Sequence, residues 1–151
     1  MSANTFVDTN VLVYMRDASE PRKQKQAEAW MHFLWQTQTG RLSFQVLQEY
    51  YVTVTEKLTP GLSAVKAKED VQSLFTWSPL LIDQPVMQGA WRVQNRFKIA
   101  WWDCLIVSAA QQAACRYLLT EDLQEGQDFG GVFIVSPFAQ TPADVFNSAA
   151  S

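Results

Sequence analysis

Short apolar runs alternate along this chain with longer segments of helical periodicity, and that alternation restricts the fold more than any other feature. Thr5-Phe6-Val7 reads as a buried strand, followed by a helical turn over 11–15. Ser19 is placed to cap the next helix, with Pro21 tolerated in its first turn. Ala27, Trp30, Met31 and Leu34 supply that helix's apolar stripe, and Gly40 ends the unit. A strand over 41–44 leads into a helix over 45–58, broken by Thr59-Pro60-Gly61. Ser63 opens a helix reaching 75, and 79–82 reads as a strand. A helix over 85–97 places Val86, Ala90, Val93 and Phe97 on one face, and another spans 102–114. Strands over 116–119 and 132–135 flank a turn at Gly130-Gly131. Strands that alternate with helices imply an α/β fold whose parallel sheet is covered on both faces, with right-handed crossovers. In such sheets ligands bind beyond the carboxyl ends of the strands, so chemistry is expected there.

The chain has 151 residues, enough for one domain with a core that needs no disulfides. Its two cysteines, Cys104 and Cys115, fall at opposite ends of one predicted helix, roughly 16 Å apart at ~1.5 Å per residue. A disulfide needs Cα atoms within about 7 Å, so the thiols are expected to be reduced. No Cys/His spacing suggests zinc, and His32 sits amid Trp30, Met31 and Phe33 as a structural or surface residue. No apolar run approaches the ~18–20 residues of a membrane span, and no secretory signal is read at the N-terminus. The expected location is cytoplasmic. A formal charge of −3 argues against a protein that grips nucleic acid by bulk electrostatics. That objection weakens if the acids are gathered at a metal site, where cations reverse the local sign. Arg22, Lys23 and Lys25, then Arg92, Arg96 and Lys98, read either as phosphate contacts or as solvated helix faces.

Two acids lie where a sheet edge would gather them, and a third stands out on a helix. Asp8 follows the first strand and Asp122 follows the strand ending at Leu119; each alone reads equally as a cap for the next helix. Asp103 shares a helix face with Ile106, Val107, Ala110, Ala113 and Ala114, so its carboxylate is expected to be partly buried. Burial of an ionised carboxylate is costly unless it is paired or bound to metal; a simple N-terminal cap is the alternative. Glu49 lies with Gln45 and Glu56 on the polar side of its helix, which by periodicity is a solvated face. Two carboxylates ~4 Å apart repel by roughly 4 kcal/mol at an effective dielectric of about 20, so a cluster of them calls for a cation. Oxygen ligands select hard ions such as Mg²⁺ or Mn²⁺.

With Asp8, Glu49, Asp103 and Asp122 in that order, the chain resembles the PIN-domain family, especially the VapC-type toxin ribonucleases. Asp8-Thr9-Asn10-Val11-Leu12-Val13-Tyr14 matches the family's first acidic motif, and Glu49 fits the second acid. Trp102-Asp103-Cys104-Leu105-Ile106 fits the third, and Thr120-Glu121-Asp122-Leu123 the last. The resemblance implies a three-layer α/β/α sandwich with a central parallel sheet of about five strands. It implies one nuclease domain over 1–138 and a short, partly disordered tail over 139–151. It further implies an endoribonuclease using Mg²⁺, with Mn²⁺ as substitute, and acting as the toxin of a type II toxin–antitoxin pair. Asp8 and Asp103 would be the principal ligands, Glu49 would bind directly or through water, and Asp122 would complete the site. Asn10 and Thr120 would orient these groups. RNA is the implied substrate; a homodimer and a small antitoxin are the implied partners. Glu121 competes with Asp122 for the last place, and one of Trp101 and Trp102 is expected to be exposed. A non-cleaving module that binds RNA or a partner is the alternative from another functional class. An Asp-x-Asp phosphatase is disfavoured because Asn10 stands at the third position.

Overall fold

The computed structural model describes residues 3–147. The chain runs β1 (Thr5–Val7), α1 (Thr9–Tyr14), α2 (Pro21–Thr37), β2 (Gly40–Arg41) and α3 (Phe44–Val52), which a π-helical turn at Thr53–Lys57 prolongs. Then come α4 (Ala64–Leu74), α5 (Gln84–Phe97), α6 (Trp101–Gln112), β3 (Tyr117–Leu119), β4 (Asp128–Phe129), β5 (Val132–Val135) and α7 (Pro142–Phe146).

The five strands stand in the order β2-β1-β3-β5-β4. All neighbours are parallel except β4, which pairs antiparallel with β5 at the edge. The central strands are short and buried on both faces: Phe6, Val7, Leu118 and Leu119 have no exposed surface. Helix α6 packs on β3 and β5, with α5 against it; α2 packs on β2, and α1 lies against α2 and α3. This is the expected three-layer α/β/α sandwich. Truncating a buried side chain such as Phe6 to Ala would cost about 3–5 kcal/mol.

Local chemistry moves several predicted boundaries. The second strand is Gly40–Arg41 rather than 41–44, because Ser43 already caps α3 by accepting from the Val46 N–H. Gly40 is required by close approach: the Trp77 ring fills the place a Cβ would take. The strand expected over 79–82 is reduced to a single bridge, Ser43 opposite Leu80. Leu80 exchanges bonds with Leu42 and Phe44, and by Asp83 the chain is capping α5. Ser19 does not cap α2; it bonds back to Asp17, and Glu20 takes the cap position without a side-chain bond. The β4 strand, absent from the sequence reading, is turned into β5 by Gly130 and Gly131, at φ 62° and 101°.

Residues of the expected tail form a helix. Thr141 and Asp144 close a reciprocal capping box, and Trp30 donates its indole N–H to the Gln140 carbonyl at 2.9 Å. Phe146 lies 5.0 Å from the Phe33 ring and 5.5 Å from the Tyr117 ring, centroid to centroid. The rest of the expected tail, 148–151, lies outside the described residues. Among those described, no helix is long and apolar enough to cross a membrane. Cys104 and Cys115 are buried and unpaired, and burial pushes the Cys115 thiol up to about 12, so it is chemically quiet.

Candidate metal centre

Strands β1 and β3 are parallel and in register, with Val7 opposite Leu119. The residues that leave them, Asp8 and Thr120, therefore emerge side by side at the carboxyl edge. Asp8 donates its N–H to the Leu119 carbonyl at 3.0 Å, and its Oδ1 accepts from the Thr9 N–H at 2.7 Å, capping α1. Thr120, fully buried, donates its hydroxyl to Asp8 Oδ2 at 2.8 Å and accepts from the Asp122 N–H at 3.1 Å. Asn10 Nδ2 spans the group, 3.0 Å from Thr120 Oγ1, 3.2 Å from Asp122 Oδ2 and 3.4 Å from Asp8 Oδ2. Cap and candidate ligand are thus not alternatives for Asp8: one oxygen caps the helix and the other is held by Thr120.

The electrostatics of this edge are unbalanced. Asp8 is only 6% exposed, and burial raises its pKa from 3.8 to about 7. The Thr120 and Thr9 hydrogen bonds oppose that rise, whereas the Asp122 and Glu49 carboxylates add to it. Asp103, in the first turn of α6, is half-buried as its apolar face predicts. Its carboxyl is likewise raised, by burial first and then by Asp122 and Glu49. Glu49 and Asp122 are exposed, so periodicity placed Glu49 correctly. Its solvated face nonetheless lies close enough for its charge to act on both Asp8 and Asp103. Among the described residues none of the four acids forms a salt bridge.

Glu121 is committed elsewhere. Tyr14 donates to its Oε1 at 2.7 Å, and the Lys23 ammonium lies 3.1 Å from its Oε2. The same ammonium sits 4.9 Å and 5.0 Å from the centroids of Tyr14 and Phe138, which uses up one member of the first basic group. In the second basic group, Arg96 lies over the Phe97 ring. Of the two tryptophans beside Asp103, Trp101 stacks on Trp91 at 6.4 Å, and Trp102 is 66% exposed.

Four carboxylates make an all-oxygen donor set, suited to a hard divalent cation. Among the described residues no three His, Cys, Asp or Glu side chains stand close enough to ligate one ion together. The set fits an ion that takes one or two carboxylates and keeps its remaining waters, as Mg²⁺ does. The Asn10–Thr120 network holds Asp8 and Asp122 in place from behind.

A family model described as PIN domain matches residues 5–124, a span that contains all four acids. Solved structures share the fold. FitAB bound to an IR36 DNA fragment is 21% identical with a TM-score of 0.67, over 89% of this chain and 95% of that one. DNA-bound VapBC from Salmonella typhimurium is 14% identical with a TM-score of 0.63, over 90% and 99%. A toxin–antitoxin complex from Klebsiella pneumoniae is 19% identical with a TM-score of 0.57, over 89% and 98%. A comparison with curated proteins gives no match. The length and position of the family match carry the assignment: the chain belongs to the PIN domain family.

Proposed function

We propose that this protein is a Mg²⁺-dependent endoribonuclease, with Mn²⁺ as a substitute, and the toxin of a type II toxin–antitoxin pair. The observation that carries the reading is the Asp8 carboxyl, buried at a strand end among acids that raise its pKa and bonded on its far side by Thr120. Asp8 and Asp103 are the groups to hold the ion, with Glu49 and Asp122 reaching it directly or through water. When bound, the ion supplies charge stabilisation at a phosphodiester and acidifies water for hydrolysis.

The chain's own residues do the positioning. Thr120 and the Thr9 N–H fix both oxygens of Asp8, so its free lone pairs keep one direction. Asn10 donates toward Asp122 and Asp8 and restrains the distance between two like charges. Burial keeps water from screening Asp8, which strengthens its attraction for a cation. RNA is the substrate of this reading. The antitoxin of this reading is supported by likeness to a toxin–antitoxin complex and to VapBC and FitAB assemblies; the homodimer is part of the reading itself. A cytoplasmic location follows from the same reading.

The test is cleavage of labelled single-stranded RNA with Mg²⁺ or Mn²⁺ against EDTA. Asp8→Asn and Asp103→Asn should each lower the rate by at least about a thousandfold while circular dichroism stays unchanged. Cleavage by either variant at the parent's rate would sink the proposal.

A further inference from the structure

A second feature adjoins the acids and shares one of them. Gln45, Gln48, Glu49, Ile82 and Trp102 line an open pocket of about 450 Å³, within the range of small-molecule sites. Glu49 is common to the pocket and to the acid cluster, since its charge acts on Asp8 and Asp103. Trp102 directly precedes Asp103 on α6 and leaves 66% of its surface exposed. Its neighbour Trp101 finds a ring partner in Trp91. Gln45 and Gln48 accompany Glu49 in the pocket lining, and Gln48 is exposed.

Resting on the ribonuclease reading above, we propose that this pocket receives one base of the RNA strand, from a nucleotide beside the cut phosphate. The occupant must offer a flat face to Trp102 and an N–H to the Gln48 amide, and must tolerate Glu49 at the rim. A phosphate fails the last condition and an aliphatic side chain the first two. A nucleobase meets all three: every base has a π face, and each Watson–Crick edge carries an amino or imino N–H. The Gln48 amide lies beside it with both a donor and an acceptor. Stacking also answers the charge problem. A chain of net charge −3, with Lys23 already paired to Glu121, draws its hold on RNA from bases as well as phosphates.

The experiment uses the full chain carrying Asp8→Asn, so that RNA is bound and not consumed. Fluorescence anisotropy compares a short labelled oligo(A) strand with an abasic strand of equal length and charge, both in Mg²⁺. In this background the base-bearing strand should bind more tightly. Adding Trp102→Ala should weaken oligo(A) by roughly five- to a hundredfold and leave the abasic strand unmoved. Trp102→Phe should retain most of the preference but lose the indole fluorescence quenched on binding. Gln48→Ala should reduce the preference by roughly fivefold. Oligo(A) binding that ignores Trp102→Ala overturns the proposal, as does an equal loss on both strands. A cationic side chain of a protein partner seated on Trp102 would give the former result. The ribonuclease reading fails separately, when the Asp8 parent does not cut RNA although Trp102 still confers base preference.

Discussion

Two aspartates of this protein differ in seclusion, Asp8 at 6% exposed and Asp70 half-buried, and meet opposite company. Asp70, on α4, receives a two-pronged contact from Arg16, Nε to Oδ2 at 2.9 Å and Nη2 to Oδ1 at 2.7 Å. Tyr50 donates its hydroxyl to the same carboxylate, and Lys66 stands 3.9 Å away. Burial pushes Asp70 upward, but the Arg16 and Tyr50 hydrogen bonds outweigh it and hold the carboxyl below its ordinary range. Asp8 has hydrogen bonds from Thr120 and Thr9, but its burial and, after that, the facing Asp122 and Glu49 carboxylates raise its carboxyl to about 7. A carboxylate supplied with its own cation ties segments together: here the turn after α1, α3 and α4. One surrounded by other carboxylates leaves a charge for an outside ion to balance. The two aspartates differ in how deeply they are buried and in which partner the chain already provides.

The sharpest way to break that comparison is to remove each charge in turn. Asp8→Asn should abolish RNA cleavage by the margin given above and, in metal-free protein, leave stability equal or higher. Asp70→Asn should leave cleavage per folded molecule within about twofold while lowering unfolding free energy by about 2–4 kcal/mol in urea titrations. Were Asp70→Asn the one to abolish cutting in a stable protein, the division of roles would be wrong.

The two sites should also bend stability with pH in opposite senses. Asp8 titrates near 3.8 when unfolded and near 7 when folded, so the folded state keeps its proton longer. Its contribution is fully present below pH 4 and lost as pH rises through 7, by at most about 4 kcal/mol. Asp70, depressed on folding, contributes above its ordinary pKa and loses that contribution as pH falls through its folded value. Chemical denaturation of metal-free protein from pH 3 to 8 should therefore show a fall above pH 4 that Asp8→Asn removes. Mg²⁺ should remove it too, by balancing the ionised form. A flat profile in the parent would show that Asp8 is ionised without a cation.

A smaller effect refines the picture inside the acid cluster. Thr120→Val keeps the shape of the side chain and deletes the donor to Asp8 Oδ2. It should raise the Mg²⁺ concentration needed for half-maximal cleavage by roughly 10–100-fold. Glu121→Gln, on the neighbouring residue but bound to Tyr14 and Lys23, should change cleavage by less than about threefold and stability by less than about 1 kcal/mol. If Glu121→Gln cost as much as Thr120→Val, the assignment of Asp122 to the site would need to be exchanged with it.

Much of this arrangement is legible in the sequence, for identifiable reasons. Phe6-Val7, Leu118-Leu119 and Val132–Val135 announce buried strands because a two-sided burial leaves no polar alternation to confuse. Asp103 stands out because its helix face is otherwise apolar. The β4 strand is not legible: two residues have no period, and their pairing depends on glycines at positive φ. Glu49 could be placed on a solvated face but not beside Asp8, because which solvent a face meets is decided by packing between α3 and its neighbours. The Arg16–Asp70–Tyr50 junction was invisible for the same reason. Its three members come from three segments, and only their meeting distinguishes them from ordinary surface residues.

The bond from Thr120 to Asp8 joins positions 112 residues apart. During synthesis, at roughly 5–20 residues per second, on the order of ten seconds separate the appearance of the first acid from that of the last. Through that interval the emerging chain holds Asp8, Glu49 and finally Asp103, but β1 has no β3 to lie against and Asp8 has no Thr120. The edge is finished only when nearly the whole sequence has been made, so a chain released early is an inert fragment and not a weaker version of the whole.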